Sequence, residues 1–306
     1  MFKRLTTIAI FLLVSLSIGV FANNNETVDT ILNIHGNIPN STIFFAVDGS
    51  EDYESIMLEP NQTTLLSCWG TAFDLDGMDD LNNLTAVIYS DSVNRFGDEN
   101  LSVLYRNDTC DTTNLKTTGD WNCTFSVQYF AEPTDWTCII NLTNMDLEFY
   151  NDTINTTSIV EDLVALEVHN KTIDFGTRAV GEEYDAETEV LFYNTGNVVL
   201  DLMLDAFNRS STFIDDSTQS FNCSIGSIPV ENLRFSLTPS NPYDDPGSIP
   251  MNATGATDSQ PVGLAPQFGG SGSLLPTSES TYWAIGIPMN IAGVCTGHIM
   301  YIGLSA

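Results

Sequence analysis

Four aspartates lie within seven positions of the segment "FDLDGMDD": Asp74, Asp76, Asp79 and Asp80. Carboxylate oxygens are the ligands that calcium prefers in proteins. The same residues also suit a plain turn, because Asp side chains accept hydrogen bonds from backbone N–H groups two residues on and Gly77 tolerates a positive φ. The segment fits an EF-hand loop poorly, since the third acidic position before the glycine and the Glu at position twelve are missing. We favour the turn and keep calcium, the one cofactor considered, as the alternative.

The rest of the chain contains no motif that predicts catalysis. His35, His169 and His298 are scattered without the spacing of a zinc site. We expect His169, at the end of a predicted strand, to be a surface residue. There is no G-x-S-x-G motif and no glycine-rich phosphate loop. The four tryptophans could form a platform for sugars, but three of them lie within two residues of a cysteine, which favours packing in a core: Trp69, Trp121, Trp136 and Trp283. We therefore predict a protein that is not an enzyme.

The first residues are typical of a secretory signal peptide. Lys3 and Arg4 precede an uncharged apolar run that ends in Val20-Phe21-Ala22, and the polar "NNNET" follows. This pattern predicts export and cleavage after Ala22. The apolar run is short for a membrane span, and no second run of spanning length follows. We expect a secreted or cell-surface protein without a membrane span after cleavage.

Charge excludes two classes of partner. The formal net charge of the 306-residue chain is −31, and removal of Lys3 and Arg4 with the signal peptide makes it −33. Such a chain is repelled by nucleic acids and by anionic lipid surfaces. Charged residues are only 16% of the chain and hydrophobic residues 42%, so the chain can form packed cores rather than a disordered acidic tail.

Sequons for N-glycosylation are unusually frequent. Their number, fourteen, is well above what the Ser and Thr content gives by chance, and it predicts a heavily N-glycosylated protein. The alternative is a Thr- and Asn-rich β protein whose turns produce sequons as a by-product. The predicted acceptors are Asn25, Asn40, Asn61, Asn83, Asn100, Asn107, Asn122, Asn141, Asn151, Asn155, Asn170, Asn208, Asn222 and Asn252.

Alternation of apolar and polar residues dominates the mature chain. Short β-rich runs such as "TTLLSCWGTAF" and "WNCTFSVQYFA" are separated by Gly, Pro, Asn and Asp, and no segment shows a helical stripe. This pattern predicts an all-β fold of antiparallel sandwiches. A change of pattern near residue 165 predicts two tandem sandwich domains, at 23–165 and 166–306.

The first predicted domain resembles the immunoglobulin-like fold. Cys68 and Cys138 lie on two β runs, and Trp136 precedes Cys138 by two residues, where that fold often has its corner tyrosine. The resemblance implies a bond between Cys68 and Cys138 across the two sheets, which leaves Cys110 and Cys123 to close a polar loop. Four cysteines allow three connectivities, and a bond between Cys123 and Cys138 is the main competitor. The same resemblance places "FDLDGMDD" between strands B and C.

The second predicted domain resembles the ASH-type (choice-of-anchor) immunoglobulin-like domains of exported bacterial and archaeal proteins. The residues that carry this resemblance are "DFG" at 174–176, "VG" at 180–181, the run 188–193 and "NTGN" at 194–197. The segment 281–306 looks like the last hairpin of such sandwiches. There Cys295 takes the place of a usual tyrosine and has a natural partner in Cys223. The whole chain resembles two-domain surface proteins of archaea that carry many sequons.

These observations predict a structural or adhesion protein of the cell envelope, such as a surface-layer or filament subunit. Its partners would be other copies of itself or other surface proteins and glycans. A Pro-, Gly- and Ser-rich loop at about 236–280 is either a binding loop or a surface excursion without a task. The segment 23–34 is either the first strand of its own domain or a strand that completes a neighbour's sheet. The alternative function is a secreted carbohydrate-active or peptide hydrolase with a site assembled from distant residues.

Overall fold

The computed structural model describes residues 40–47, 55–73, 81–113, 118–144, 148–208, 218–252, 257–267 and 275–306. The predicted signal peptide, Asn25, the segment 23–34 and the aspartates of the 74–80 turn lie outside these ranges. Within them the chain folds as β-strands, and the only helical piece is a single 3-10 turn at Val230–Asn232. The predicted all-β class is confirmed.

The first ten strands form two facing sheets, which we call sandwich 1. One sheet has the order β1-β4-β8-β7, with β2 also paired to β4, and the other has the order β3-β10-β9-β5-β6. The strands are β1 (Asn40–Ser41), β2 (Phe44–Val47), β3 (Ser55–Ile56), β4 (Thr63–Phe73), β5 (Leu81–Ser90), β6 (Leu104–Asn107), β7 (Asp111–Thr113), β8 (Thr118–Gln128), β9 (Asp135–Asn144) and β10 (Glu148–Val160).

The pairing in sandwich 1 is that of an immunoglobulin-like fold. In the first sheet β4, β8 and β7 occupy the places of strands B, E and D, and in the second β5, β9 and β10 occupy those of C, F and G. The short strand β3 pairs in parallel with β10, whereas the other strand pairs of this sandwich are antiparallel. The segment 74–80 therefore connects strand B to strand C, since β4 ends at Phe73 and β5 begins at Leu81.

The core of sandwich 1 follows from strict alternation along its long strands. On β4 the side chains of Leu66, Cys68 and Ala72 are buried between the sheets. Cys68 is bonded to Cys138 of the opposite sheet, and Cys110 is bonded to Cys123. These are the pairs that the immunoglobulin resemblance implies.

Trp136 takes the role of the corner tyrosine in sandwich 1. Its side chain is fully buried, and its indole Nε1–H donates a hydrogen bond of 2.9 Å to the backbone oxygen of Glu132, four residues upstream. In immunoglobulin domains the corner tyrosine hydroxyl makes the equivalent bond to upstream backbone. The indole thus fixes the turn that leads from β8 into β9.

The last ten strands form sandwich 2. Its sheets have the orders β11-β12-β19-β16-β17 and β15-β14-β20-β13-β18. The strands are β11 (Leu166–Val168), β12 (Glu183–Asn194), β13 (Leu200–Phe207), β14 (Gln219–Ile225), β15 (Ser227–Pro229), β16 (Leu233–Ser236), β17 (Ile249–Pro250), β18 (Gln260–Leu264), β19 (Thr277–Gly286) and β20 (Ala292–Ser305).

Two expectations for sandwich 2 need correction. The segment 281–306 is not a hairpin, because β19 and β20 belong to opposite sheets and the turn between them crosses the sandwich. The segment 236–280 is not one long loop either. It contains β17, which pairs with β16, and β18, which pairs with β13, and it buries Tyr243 and Met251. Strands of two and five residues are too short to give a periodic signal.

One neighbour of β20, the strand β14, does not follow it in the chain. In sandwich 1 the place next to strand F is filled by the strand that follows it, β10. In sandwich 2 the equivalent place next to β20 is filled by β14, from the middle of the chain. Cys223 and Cys295 face each other on these two strands and are bonded. This is the pair that the sequence analysis expects, but it joins neighbours within one sheet.

The predicted boundary at residue 165 lies between β10 and β11. Residues Asn37–Ala306 form one compact unit that contains a separate hydrophobic core for each sandwich. We therefore describe two sandwiches of one unit, and the division into two domains stays a prediction.

Candidate functional site

The sequence-predicted calcium ligands cannot be placed, because Asp74, Asp76, Asp79 and Asp80 lie outside the described residues. Their position along the chain is nevertheless defined by the strands on either side. Among the described residues no group of three or more His, Cys, Asp and Glu side chains lies close enough to hold a metal ion. No helix in the described part of the chain is long and apolar enough to cross a membrane.

His169, His298 and most tryptophans have structural surroundings, whereas His35 lies outside the described residues. His169 is exposed, as expected, and packs edge-on against Tyr193, while His298 stacks on Phe207. Trp121 and Trp136 are buried, which confirms the core prediction for these two, and Trp283 is buried as well. For Trp69 the core prediction is wrong, since 38% of its surface is exposed on the outer face of β4.

The sequon asparagines are presented in two ways. Asn100, Asn107, Asn141 and Asn208 are half-buried. The side chain of Asn107, for example, donates to the backbone oxygen of Thr124 and accepts from the backbone N–H of Thr109. The asparagines whose side chains are exposed are Asn61, Asn122, Asn170, Asn222 and Asn252. Accessibility therefore separates these nine predicted acceptors into two groups, while the side chains of Asn25, Asn40, Asn83, Asn151 and Asn155 lie outside the described residues.

The "NTGN" sequence connects the two sandwiches. Only 3% of the surface of Asn197 is exposed. Its Nδ2 donates hydrogen bonds to the backbone oxygens of Ala131 in sandwich 1 (3.1 Å) and Glu161 in the connecting segment (3.0 Å). Its Oδ1 accepts a bond of 2.6 Å from the N–H of Leu163. One side chain thus ties the turn of sandwich 2 to the other sandwich and to the connection.

The neighbouring residues make this junction tight. A Cβ atom on Gly196 would lie 2.0 Å from the backbone oxygen of Leu163, so only glycine fits there. Asn194 closes its own turn, since its Oδ1 accepts from the N–H of Gly196 and its Nδ2 donates to the backbone oxygen of Val198. The N–H of Asn61, in sandwich 1, donates to the oxygen of Thr195. This junction favours a fixed orientation of the sandwiches.

Side-chain hydrogen bonds hold an exposed loop of sandwich 1, the segment 91–103 between β5 and β6. The guanidinium of Arg106 donates to the backbone oxygens of Arg95 (2.7 Å) and Gly97 (2.9 Å) and so clamps the tip of the loop. Asn94 closes the turn, because its Oδ1 accepts from the N–H of Phe96. The sequence analysis did not single out this loop, and the only signal was its run of turn formers, "NRFGDEN".

Two further groups hold the base of the same loop. The carboxylate of Glu132 accepts hydrogen bonds from the hydroxyls of Ser90 (2.6 Å) and Ser92. The hydroxyl of Tyr105 donates to the backbone oxygen of Leu101 and accepts from the N–H of Gln128. Burial raises the pKa of Tyr105 above its ordinary value. The loop is pre-organised rather than ordered only on binding.

This loop displays an aromatic and a cationic side chain together. Phe96 is 63% exposed, and the guanidinium of Arg95 lies 4.5 Å from the centre of its ring. Arginine and large aromatic residues are the side chains that most often anchor protein interfaces. In a chain with 9 basic and 40 acidic residues, the pair places one cation and one aromatic ring together on a loop that also carries Asp91, Asp98 and Glu99.

Sandwich 2 contains a groove of about 600 Å³ at the edge where β11 faces β14 and β20, with both apolar residues and polar ones such as Lys171 and His298 in its lining. Ile173 and Tyr301 are among the residues that line this groove. The hydroxyl of Tyr301 accepts from the indole N–H of Trp283 and shares a hydrogen bond with Thr281. Burial raises the pKa of Tyr301 to about 12.

Comparisons with known proteins give no family for this chain. No family model and no curated protein matches it. Solved structures with partial similarity include the C-terminal domain of the AgI/II polypeptide BspA of Streptococcus agalactiae, which is 8% identical at a TM-score of 0.23 and covers 88% of this chain and 100% of that chain. Another is the class 5 fimbriae chaperone CfaA, 14% identical at a TM-score of 0.15, covering 56% of this chain and 76% of that chain.

At these TM-scores the similarity of the solved structures carries no functional argument. The immunoglobulin-like assignment rests on the strand pairing of sandwich 1 instead. The ASH-type and archaeal resemblances stay predictions, because no family model matches the segments that suggested them.

Proposed function

We propose that the chain is an exported, N-glycosylated structural or adhesion protein of the cell envelope. It acts through protein and glycan contacts and not as an enzyme. The observation that carries this proposal is the pre-organised loop 91–103, which holds Arg95 and Phe96 at the surface of an otherwise acidic protein. A fixed loop loses little conformational entropy on binding, and an Arg–Phe pair supplies both charge attraction and apolar area.

The preferred partner of this loop is a second copy of the chain, as in a surface layer or a filament. The net charge of −31 opposes self-association at low ionic strength. Assembly is therefore expected to strengthen as salt screens the repulsion between copies. The junction at Asn197 supports such a role, because a repeating assembly needs subunits of defined shape.

Light scattering of the mature full-length protein, from low to high salt and with calcium, tests the proposal. Phe96→Ala and Arg95→Ser should each lower the mass of the assemblies. Met57→Ala, a change at another exposed apolar residue of sandwich 1, should leave the mass unchanged. Deletion of residues 23–34 tests whether that segment contributes a strand to a neighbour.

Two results would change the proposal. A wild-type protein that stays monomeric throughout this range at high concentration refutes self-assembly and leaves adhesion to another surface molecule. Assemblies that form equally well from Phe96→Ala and Arg95→Ser refute the role of the loop. Electron microscopy of the native protein then distinguishes an ordered lattice or filament from irregular aggregates.

A further inference from the structure

Trp69 and Asn122 form a cross-strand pair on the outer face of sandwich 1. They lie directly opposite each other where β4 pairs with β8. In an antiparallel pair, directly opposite residues project on the same side of the sheet with Cβ atoms about 5 Å apart. Both side chains are exposed, so the indole and the amide share one patch of surface.

Asn122 is the acceptor of a sequon whose Asn and Thr side chains are both exposed on the strand. Successive residues of a strand alternate between faces, and in Asn122-Cys123-Thr124 both Asn122 and Thr124 are exposed, while Cys123 is buried and bonded to Cys110. The acceptor amide and the hydroxyl that completes the sequon therefore point away from the core together. Asn107 differs, since its amide is committed to a backbone oxygen.

The same face of β4 exposes two large apolar side chains. Trp69 is 38% exposed, and Leu65, two pairs further along β4, is 45% exposed. On the β8 side of β4, the residues paired with this face are polar: Asp120, Asn122, Thr124 and Ser126. On the other side of β4, Phe44 of β2 is paired with Trp69. An exposed indole on a flat sheet gains free energy when another apolar surface covers it. A pyranose ring has such a surface, because its C–H groups form apolar faces while its hydroxyls point outward.

We propose that an N-glycan on Asn122 packs the C–H face of its first sugar against Trp69, so that glycan and sheet form one structural unit. The inference rests on the proposed N-glycosylation and deepens it, since it assigns one sequon a stabilising role. The glycan covers the part of the indole that is exposed in the fold, and the indole restricts the sugar in return.

Asn222 provides a matched control. It is also an exposed sequon asparagine on a strand, but its partners across the sheet are Thr296 and Ser227, which offer no aromatic surface. A glycan at Asn222 is therefore expected to add bulk and solubility without a ring contact.

The experiment is a double-mutant cycle on the full-length glycosylated protein. Occupancy of each sequon is first measured by glycopeptide mass spectrometry. Melting temperatures are then compared for the parent, Thr124→Val and Asn122→Gln, each with Trp69 intact and with Trp69→Thr. With Trp69 intact, loss of the Asn122 glycan should lower the melting temperature by about 3 °C or more. With Trp69→Thr, the same loss should change it little, and Asn222→Gln should have little effect in both backgrounds.

Each outcome separates the two proposals. An equal loss of melting temperature with and without Trp69 overturns the contact between glycan and indole. An unmodified Asn122 beside other occupied sequons also overturns it and leaves the glycoprotein assignment intact. No occupied sequon in the native protein overturns both. Thr124→Val and Asn122→Gln produced without glycosylation should melt like their unglycosylated parent, and a shift there would assign the effect to the side chains themselves.

Discussion

The two sandwiches differ most in one neighbour of the strand that carries the second cysteine of the long disulfide. That strand is β9, with Cys138, in sandwich 1 and β20, with Cys295, in sandwich 2. In sandwich 1 this neighbour is β10, which follows β9 directly in the chain and has thirteen residues. In sandwich 2 it is β14, a strand of seven residues taken from the middle of the chain. The disulfide of sandwich 1 joins the two sheets, whereas that of sandwich 2 fastens the out-of-order strand to its neighbour.

The comparison shows that two disulfides of similar span have different tasks. The sequence separations are 70 and 72 residues, so the chain-entropy model gives each about 4 kcal/mol. Cys68 and Cys138 are fully buried between the sheets, while Cys223 and Cys295 are only half-buried. Their loss should therefore have different structural consequences.

The largest expected effect is on the disulfides. Cys68→Ala with Cys138→Ala should unfold sandwich 1 as a whole, because it removes the cross-link and also leaves a cavity that costs about 2 kcal/mol more. Cys223→Ala with Cys295→Ala should mainly release β14 and β15. Hydrogen exchange measured along the chain checks this. Global loss of protection in sandwich 2 after the second change would contradict the assigned difference.

The second prediction concerns the junction between the sandwiches. Asn197→Ala leaves two backbone oxygens and one N–H without their partner, which should cost about 3 kcal/mol. Asn232→Ala, which removes one similar bond to the oxygen of Gly286 inside sandwich 2, is the control and should cost less. Small-angle scattering should show a broader range of shapes for Asn197→Ala alone. An unchanged scattering profile would show that the junction does not depend on this side chain.

The third prediction uses a buried tyrosine of sandwich 2. The folded-state pKa of Tyr301 is raised to about 12, above the value near 10 of an unfolded tyrosine. Its contribution to stability is therefore fully present below pH 10 and is lost as the pH rises towards 12. Tyr301→Phe should flatten the alkaline part of the stability curve between these values. A curve that falls equally steeply with Phe at this position would assign the alkaline loss to other groups.

Local sequence patterns predicted the parts of this fold that depend on neighbours in the chain. The run "TTLLSCWGTAF" is β4 from end to end, because alternation over eleven residues leaves little ambiguity. The place of β14 beside β20 and the crossing between β19 and β20 were not predictable. Which strand fills a place in a sheet depends on pairing with distant residues, and local periodicity contains no information on it. Likewise, Arg106 holds the 91–103 loop through bonds that only the fold brings together.

The smallest expected effect separates the two turns that join strand B to strand C. In sandwich 2 this turn is "NTGN", whose asparagines satisfy the backbone by themselves and bind sandwich 1. In sandwich 1 the same connection contains Asp74, Asp76, Asp79 and Asp80, which the sequence predicts as a plain turn or a calcium site. Amides neutralise no cation, whereas four carboxylates in seven positions repel one another unless an ion or water screens them.

If the four aspartates bind calcium, chelation should lower the melting temperature of sandwich 1. Asp76→Asn should abolish that response, while the hydrogen exchange of the "NTGN" turn stays unchanged. Identical melting curves with calcium and with excess chelator would leave both connections as turns, one closed by amides and the other by carboxylates.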